Sequence, residues 1–141
     1  MLLNFDLSGL LNLHLTLTAL MTGVIWVIQL VHYPSFHYVN MVVYTKFQKF
    51  HMARISFIVM PLMILELVTA LMLLAYSQNI YFIANLLMLG LTWLSTALLS
   101  VPCHSRLEKA YSYEDVDKLV KTNWPRTLLW SLRTVLIFIC L

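Results

Sequence analysis

The sequence predicts an all-α protein, a four-helix transmembrane bundle with a short interfacial helix between the third and fourth spans. Three observations predict it: four long apolar stretches, basic residues concentrated in or next to two of the links between them, and an overall composition of 61% hydrophobic and 11% charged residues. Roughly a quarter of the residues in a typical soluble domain carry charge. We therefore expect one integral membrane domain over residues 1–141 and no separate soluble domain.

Each apolar stretch is long enough to cross a membrane. About 20 helical residues, rising about 1.5 Å each, span a hydrocarbon core of roughly 30 Å. The predicted spans cover residues 8–33, 53–76, 80–101 and 124–141.

Basic residues indicate the orientation. Lys46, Lys49 and Arg54 follow the first span. The link between the third and fourth spans carries Arg106, Lys109, Lys118, Lys121 and Arg126. The positive-inside rule places both links in the cytoplasm, so we expect a bacterial inner-membrane protein with both termini outside. The lipid bilayer is the expected partner, because anionic headgroups account for the net charge of +3 without nucleic acid.

Prolines mark the expected helix boundaries. Pro34 is expected to end the first helix, because the residue before a proline is pushed out of the helical conformation. Pro61 lies inside the second span and is expected to kink it. Pro102 predicts a break after the third span, and Asn123 with Pro125 predicts the cap and first turn of the fourth.

The interfacial helix is predicted just before that cap. Ser112 followed by Glu114 has the character of a helix start, and Lys121 suits the helix end. The apolar face expected to lie on the membrane consists of Val116, Leu119 and Val120.

Polar side chains predict a polar interior. At about 100° per residue, one stripe within an arc of roughly 80° on the first span contains His14, Thr18, Thr22, Gln29 and His32. Matching stripes contain Thr92, Ser95, Thr96 and Cys103 on the third span and Arg126, Trp130 and Arg133 on the fourth. Hydrogen bonding between packed helices would explain the hydroxyl groups without any functional role.

Two charged residues lie near the middle of predicted spans. Glu66 in the second span and Arg133 in the fourth each cost at least about 2.5 kcal/mol to insert, so we expect them to face each other. One interpretation is a structural ion pair that fixes helix register. The other is a catalytic pair, in which Glu66 accepts a proton or binds a ligand under the influence of Arg133.

Four of the five histidines map to the expected cytoplasmic rim, and these are His32, His37, His51 and His104. Convergence of His32, His51 and His104 would create a metal site, and His32 with Trp130 would be candidates for binding a cofactor such as haem. No HExxH or ExxH motif accompanies them. The alternative interpretation is that these histidines anchor the helix ends among lipid headgroups.

Two segments carry a family resemblance. VPCHSRLEKA at 101–110 and NWPRTLLWSLRT at 123–134 resemble the anthrone-oxygenase-like family of small four-span membrane proteins. The family's VPxNxxL element is matched by Val101, Pro102 and Leu107, and its W-N-x-x-R-T element by Asn123, Arg126 and Thr127. His104 stands where an Asn is usual. The chain also resembles uncharacterised bacterial membrane proteins with HYP, FH and PxMxxE elements.

The resemblance implies an oxidoreductase-like activity, the oxygenation of a polycyclic anthrone to a quinone. A flat apolar phenol would enter from the lipid, and His104 or Glu66 would take its proton. Arg126 or Arg133 would stabilise the phenolate, and Trp130 could stack on the ring.

Two other classes of function remain open. In one, the polar interior conducts or binds protons or a small solute, with Glu66 as the gate. In the other, the chain is a non-catalytic accessory subunit, or a homo-oligomer, whose polar stripe meets a partner helix.

Overall fold

The structure, a computed structural model, describes residues 6–141, and all of their regular secondary structure is helical. Four helices account for it: Leu7–Tyr38, Tyr44–Tyr76, Ile80–Leu107 and Tyr113–Ile139. The first five residues, part of the predicted outer N-terminus, lie outside the described residues.

Side-chain caps begin three of the helices. Asp6 Oδ1 accepts from Gly9 N at 2.8 Å, and Asn79 Oδ1 accepts from Tyr81 N at 3.0 Å. Ser112 accepts from the backbone at the start of the fourth helix, where the sequence predicted a helix start. Each contact satisfies an N–H group that has no partner within the helix.

Neighbouring helices run antiparallel. His14 contacts Thr69 and His32 contacts His51, so positions rise along the first helix as they fall along the second. The first helix packs against the second and the fourth, and the fourth also packs against the third. Of the four pairs of neighbouring helices, the second and third have the least contact with each other.

Pro34 and Pro102 do not end their helices, so these two expected boundaries are wrong. Tyr33 keeps helical dihedral angles, φ −65° and ψ −42°, although it precedes a proline. Each proline follows closely on a π-helical turn, at Ile28–His32 and at Thr96–Ser100. The wider turn gives the proline ring room beside the carbonyl group one turn back, which would otherwise clash with it.

The fourth helix is continuous through Asn123 and Pro125, so the break predicted there is absent. Asn123 cannot serve as a cap because its side chain is buried and donates to Gln29. Val116 and Leu119, expected to lie on the membrane, are fully buried in the protein core instead.

The outside of the four helices is apolar and much of the inside is polar. Large side chains such as Phe57, Leu87 and Phe138 are 82%, 65% and 65% exposed. The buried polar side chains include His14, Thr18, Gln29, Glu66, Asn85, Asn123, Arg126 and Arg133. Three helices, Leu7–Tyr38, Tyr44–Tyr76 and Ile80–Leu107, are long and apolar enough to cross a membrane. This inverted distribution is the one expected for helices surrounded by lipid.

Candidate functional site

Glu66 and Arg133 face each other, as expected. Arg133 Nη1 lies 3.2 Å from Glu66 Oε1, and both side chains are fully buried. The contact is an ion pair, and neither Nη atom has a hydrogen-bond partner among residues 6–141. Arg133 Nε donates to Asn85 Oδ1 at 3.1 Å, and Trp130 Nε1 donates to Glu66 Oε2 at 3.0 Å.

The ion pair belongs to a larger network that joins all four helices. The His14 ring contacts Thr69 Oγ1 at 2.6 Å through Nδ1 and the Asn85 amide at 3.0 Å through Nε2. We call the set His14, Glu66, Thr69, Asn85, Trp130 and Arg133 the central polar network. Because each helix contributes at least one member, a shift of any helix along its axis would break several polar contacts at once.

A cavity of about 130 Å³ lies at the seam between the second and third helices. We call it the lateral pocket. Its outer rim includes Met60 and Val101, which are 46% and 48% exposed, whereas His104 and Arg126 in its lining are each only 5% exposed. The pocket therefore has an apolar mouth and a polar inner wall, the arrangement of many small-molecule sites.

His104 is held in the inner wall by two contacts. Its Nε2 lies 3.0 Å from the Tyr33 hydroxyl, and its Nδ1 lies 2.7 Å from Nε2 of the buried Gln48. Oε1 of Gln48 has no partner among the described residues. Rotation of this amide would therefore exchange the ring nitrogen of His104 that carries the proton.

Arg126 is a buried cation without a carboxylate partner. Its Nη1 donates to Ser100 Oγ, and its guanidinium carbon lies 6.0 Å from the centre of the Trp130 ring. None of the ion pairs formed by residues 6–141 includes Arg126, and its Nε has no hydrogen-bond partner. An unpaired buried charge is costly, so an electron-rich group in the lateral pocket would be strongly stabilised there.

Three of the four rim histidines, His32, His51 and His104, lie near one another, and the fourth lies apart. His32 Nε2 and His51 Nδ1 contact each other at 2.8 Å, and the rings of His51 and His104 are 5.5 Å apart. His37 lies elsewhere, 3.1 Å from Asp117 Oδ1. No group of three or more His, Cys, Asp or Glu side chains in residues 6–141 is arranged to hold a metal ion. The metal and cofactor roles of these histidines stay predictions.

The predicted site residues fall into three places. Glu66 and Arg133 lie in the central polar network, and His104 and Arg126 line the lateral pocket. His32 pairs with His51 near the basic end of the molecule, which is the end where the two links rich in Lys and Arg lie. Trp130 connects the first two places, because it contacts both Glu66 and Arg126.

Four interior residues escaped the sequence analysis: Tyr33, Gln48, Thr69 and Asn85. Asn85 lies two helical turns before Thr92, on the polar stripe already identified, so the sequence could have predicted that its side chain faces the interior. Gln48 gave no such signal, because it lies in a mixed aromatic segment without a clear polar face.

No protein-family model, curated protein or solved structure matches this chain. The candidate site therefore rests on its own geometry.

Proposed function

We propose that the chain crosses the bacterial inner membrane four times, with both termini outside. The support for the fourth span is the outward face of the fourth helix, which presents Leu128, Leu132, Val135 and Phe138, each more than half exposed. Arg126 and Arg133 lower the average hydropathy of this helix, but both point inward. The first part of the helix would lie at the cytoplasmic surface, where exposed Lys118 and Lys121 meet anionic headgroups.

The function that the geometry supports best is binding of a small, flat, apolar molecule with an acidic oxygen, followed by its oxidation. The observation that carries this proposal is Arg126, a buried cation with a free Nε and no carboxylate partner among residues 6–141, beside His104 in an apolar-mouthed pocket. A phenol fits both features, because its ring suits the mouth and its ionised oxygen would pair with Arg126.

The chain's own residues supply the first chemical step. With the Gln48 amide rotated so that its Oε1 accepts from His104 Nδ1–H, His104 Nε2 is the basic atom of the ring. It would take the phenol proton through the Tyr33 hydroxyl, which lies 3.0 Å away and also lines the pocket, and Arg126 would hold the phenolate oxygen. The geometry favours this pair over Glu66 and Arg133, because those two side chains already face each other in the interior.

The oxidation that the family resemblance suggests uses dioxygen as the oxidant. The CH2 carbon opposite the anthrone oxygen loses two hydrogens and gains one oxygen atom, which makes the second carbonyl of the quinone. The other oxygen atom leaves with both hydrogens as water, so atoms and electrons balance. The protein would accelerate this step by ionising the phenol tautomer of the anthrone, since the resulting electron-rich anion reacts with oxygen more readily than the neutral ketone.

Oxygen uptake and quinone absorbance, measured with anthrone and detergent-purified protein, test the proposal. Wild type and the control Lys109→Gln, an exposed basic residue outside the pocket, should turn over equally. Arg126→Gln and His104→Asn should lose most of the activity while staying folded. Equal rates in all four proteins, or no turnover above the spontaneous rate in wild type, would contradict an oxygenase role.

Proton movement is the second candidate function, supported by the central polar network. Its ionisable and hydroxyl groups contact one another across all four helices at the depth where lipid excludes water. Liposomes with an imposed pH gradient test it. Dissipation that requires Glu66 would support conduction, and a gradient unaffected by the protein would remove this candidate.

A further inference from the structure

A second concave site lies between the first and second helices. This groove has a volume of about 190 Å³ and is lined mainly by apolar side chains, with Arg54 and the His32–His51 pair as its polar members. It lies on the other side of the second helix from the opening of the lateral pocket, and the two cavities share one lining residue, Ile55.

Arg54 supplies the positive charge of the groove. Its guanidinium carbon lies 5.4 Å from the centre of the Phe50 ring, one turn nearer the start of the second helix. The side chain therefore runs back toward the basic end of the molecule, as a long cationic side chain does near a membrane surface. No acidic side chain of residues 6–141 pairs with it.

His51 adds an unsatisfied polar atom. The residue is only 5% exposed, and its Nδ1 is occupied by His32 at 2.8 Å. Its Nε2 is buried and has no hydrogen-bond partner among the described residues. Buried polar atoms without partners are uncommon and costly in native proteins, so this nitrogen suggests that a ligand oxygen belongs beside it.

Apolar side chains line the groove on both sides of Arg54, with Phe47 and Phe50 nearer the start of the second helix and Ile55 and Ile58 nearer its middle. Ile55 and Ile58 line it beyond Arg54, and Ile58 is 52% exposed. A cationic group followed by an aliphatic track is complementary to an amphiphile with an anionic head and a hydrocarbon chain.

We propose that this groove binds one anionic membrane phospholipid. Its phosphate would lie at Arg54 and His51, and an acyl chain would follow Ile55 and Ile58. The proposal rests on the membrane location proposed above and is independent of any chemistry in the lateral pocket. A phospholipid is favoured over a soluble phosphate because Ile55 and Ile58 continue the groove from Arg54 toward the middle of the second helix, where an acyl chain would lie.

Native mass spectrometry of the detergent-solubilised protein tests the site. The protein is equilibrated with equal amounts of phosphatidylglycerol and phosphatidylcholine. The number of lipid molecules that stay bound is then counted as the collision energy in the mass spectrometer is raised. Wild type should keep one phosphatidylglycerol in preference, and Arg54→Gln should lower that preference about tenfold. Lys49→Gln removes an exposed charge from the same helix outside the groove and should change little. Arg54→Lys, which keeps the charge, should retain most of the preference.

Three results would overturn the proposal: no preference in wild type, an unchanged preference in Arg54→Gln, or an equal loss in Lys49→Gln, which would indicate general attraction to the basic end. Thermal unfolding of the same variants shows whether Arg54→Gln is folded, and its midpoint should match that of wild type. Membrane location is checked separately by retention in the pellet after alkaline extraction. Release of the protein from the pellet would contradict the proposed four spans.

Discussion

The indole nitrogen of Trp130 lies 3.0 Å from Oε2 of Glu66, and the ring of the same tryptophan is 6.0 Å from the Arg126 guanidinium. Trp130, a member of the central polar network, therefore links that network to Arg126 in the wall of the lateral pocket. Glu66 orients the ring, and the ring supports the cation that faces the pocket. This arrangement gives Glu66 an indirect role in the lateral pocket.

Replacing Trp130 with Phe should destabilise the protein by about 1–3 kcal/mol, because the Glu66 carboxylate loses a buried donor while the aromatic packing is largely kept. Thermal unfolding in detergent measures the loss. Trp124→Phe is the matched control, since Trp124 is 39% exposed and its ring packs edge-on against Trp26. Equal destabilisation by both variants would argue against a specific Trp130–Glu66 contact.

Breaking the ion pair from one side should cost far more than removing it. Glu66→Gln or Arg133→Gln alone should destabilise the protein by about 3–5 kcal/mol, because each leaves a buried charge unpaired. The double variant should lose less than the sum, and a double-mutant cycle on unfolding free energies measures the difference. Additive effects would mean that the two side chains do not interact.

Arg126→Gln should weaken phenol binding at least about tenfold, because a charged partner of the phenolate oxygen is lost. Its stability should be unchanged or higher, since the variant removes a buried cation that has no carboxylate partner among residues 6–141. Calorimetric titration and thermal unfolding on the same sample report both quantities. A large loss of stability with unchanged binding would reverse the assignment and make Arg126 structural.

Asn123→Ala should cost about 1–3 kcal/mol, because Asn123 Nδ2 donates to Gln29 Oε1 at 2.8 Å in the interior between the first and fourth helices. Asn12→Ala is the control, since Asn12 is exposed and contacts only its own helix. Chemical denaturation in mixed micelles gives both values. If Asn123→Ala cost no more than Asn12→Ala, the interior contact would contribute nothing to stability.

The proposed orientation predicts which thiols a membrane-impermeant reagent can reach. Cys140 is partly exposed near the C-terminus and Cys103 is buried. In intact cells, a variant with Cys140 as its single thiol should be labelled. A variant with both cysteines replaced and Lys109→Cys added should be labelled only after the membrane is permeabilised. The opposite pattern would invert the topology.

The sequence was sufficient to predict the inward polar stripe and the pairing of Glu66 with Arg133. Both follow from one large energy, the cost of placing polar or charged groups in lipid, which leaves few arrangements open. His14, Thr18 and Gln29 are buried on the predicted side for that reason.

The contacts of neutral side chains could not be predicted in the same way. The π-helical turn before Pro34 shifts the rotation of every later residue, and this shift brings Tyr33 to His104. A periodicity of 3.6 residues does not anticipate such a turn. The lateral pocket could not be predicted from the sequence either, because it depends on how closely the second and third helices pack and not on any residue pattern.

Above all, we propose that Arg126 and His104 hold an ionised phenol in the lateral pocket. The most direct measurement is the absorption spectrum of a nitrophenol mixed with the purified protein at a pH where the free phenol is mostly protonated. Wild type should produce the phenolate band in proportion to protein, and Arg126→Gln should not. A bound phenol that stays neutral, or the same phenolate band in both proteins, would contradict the account.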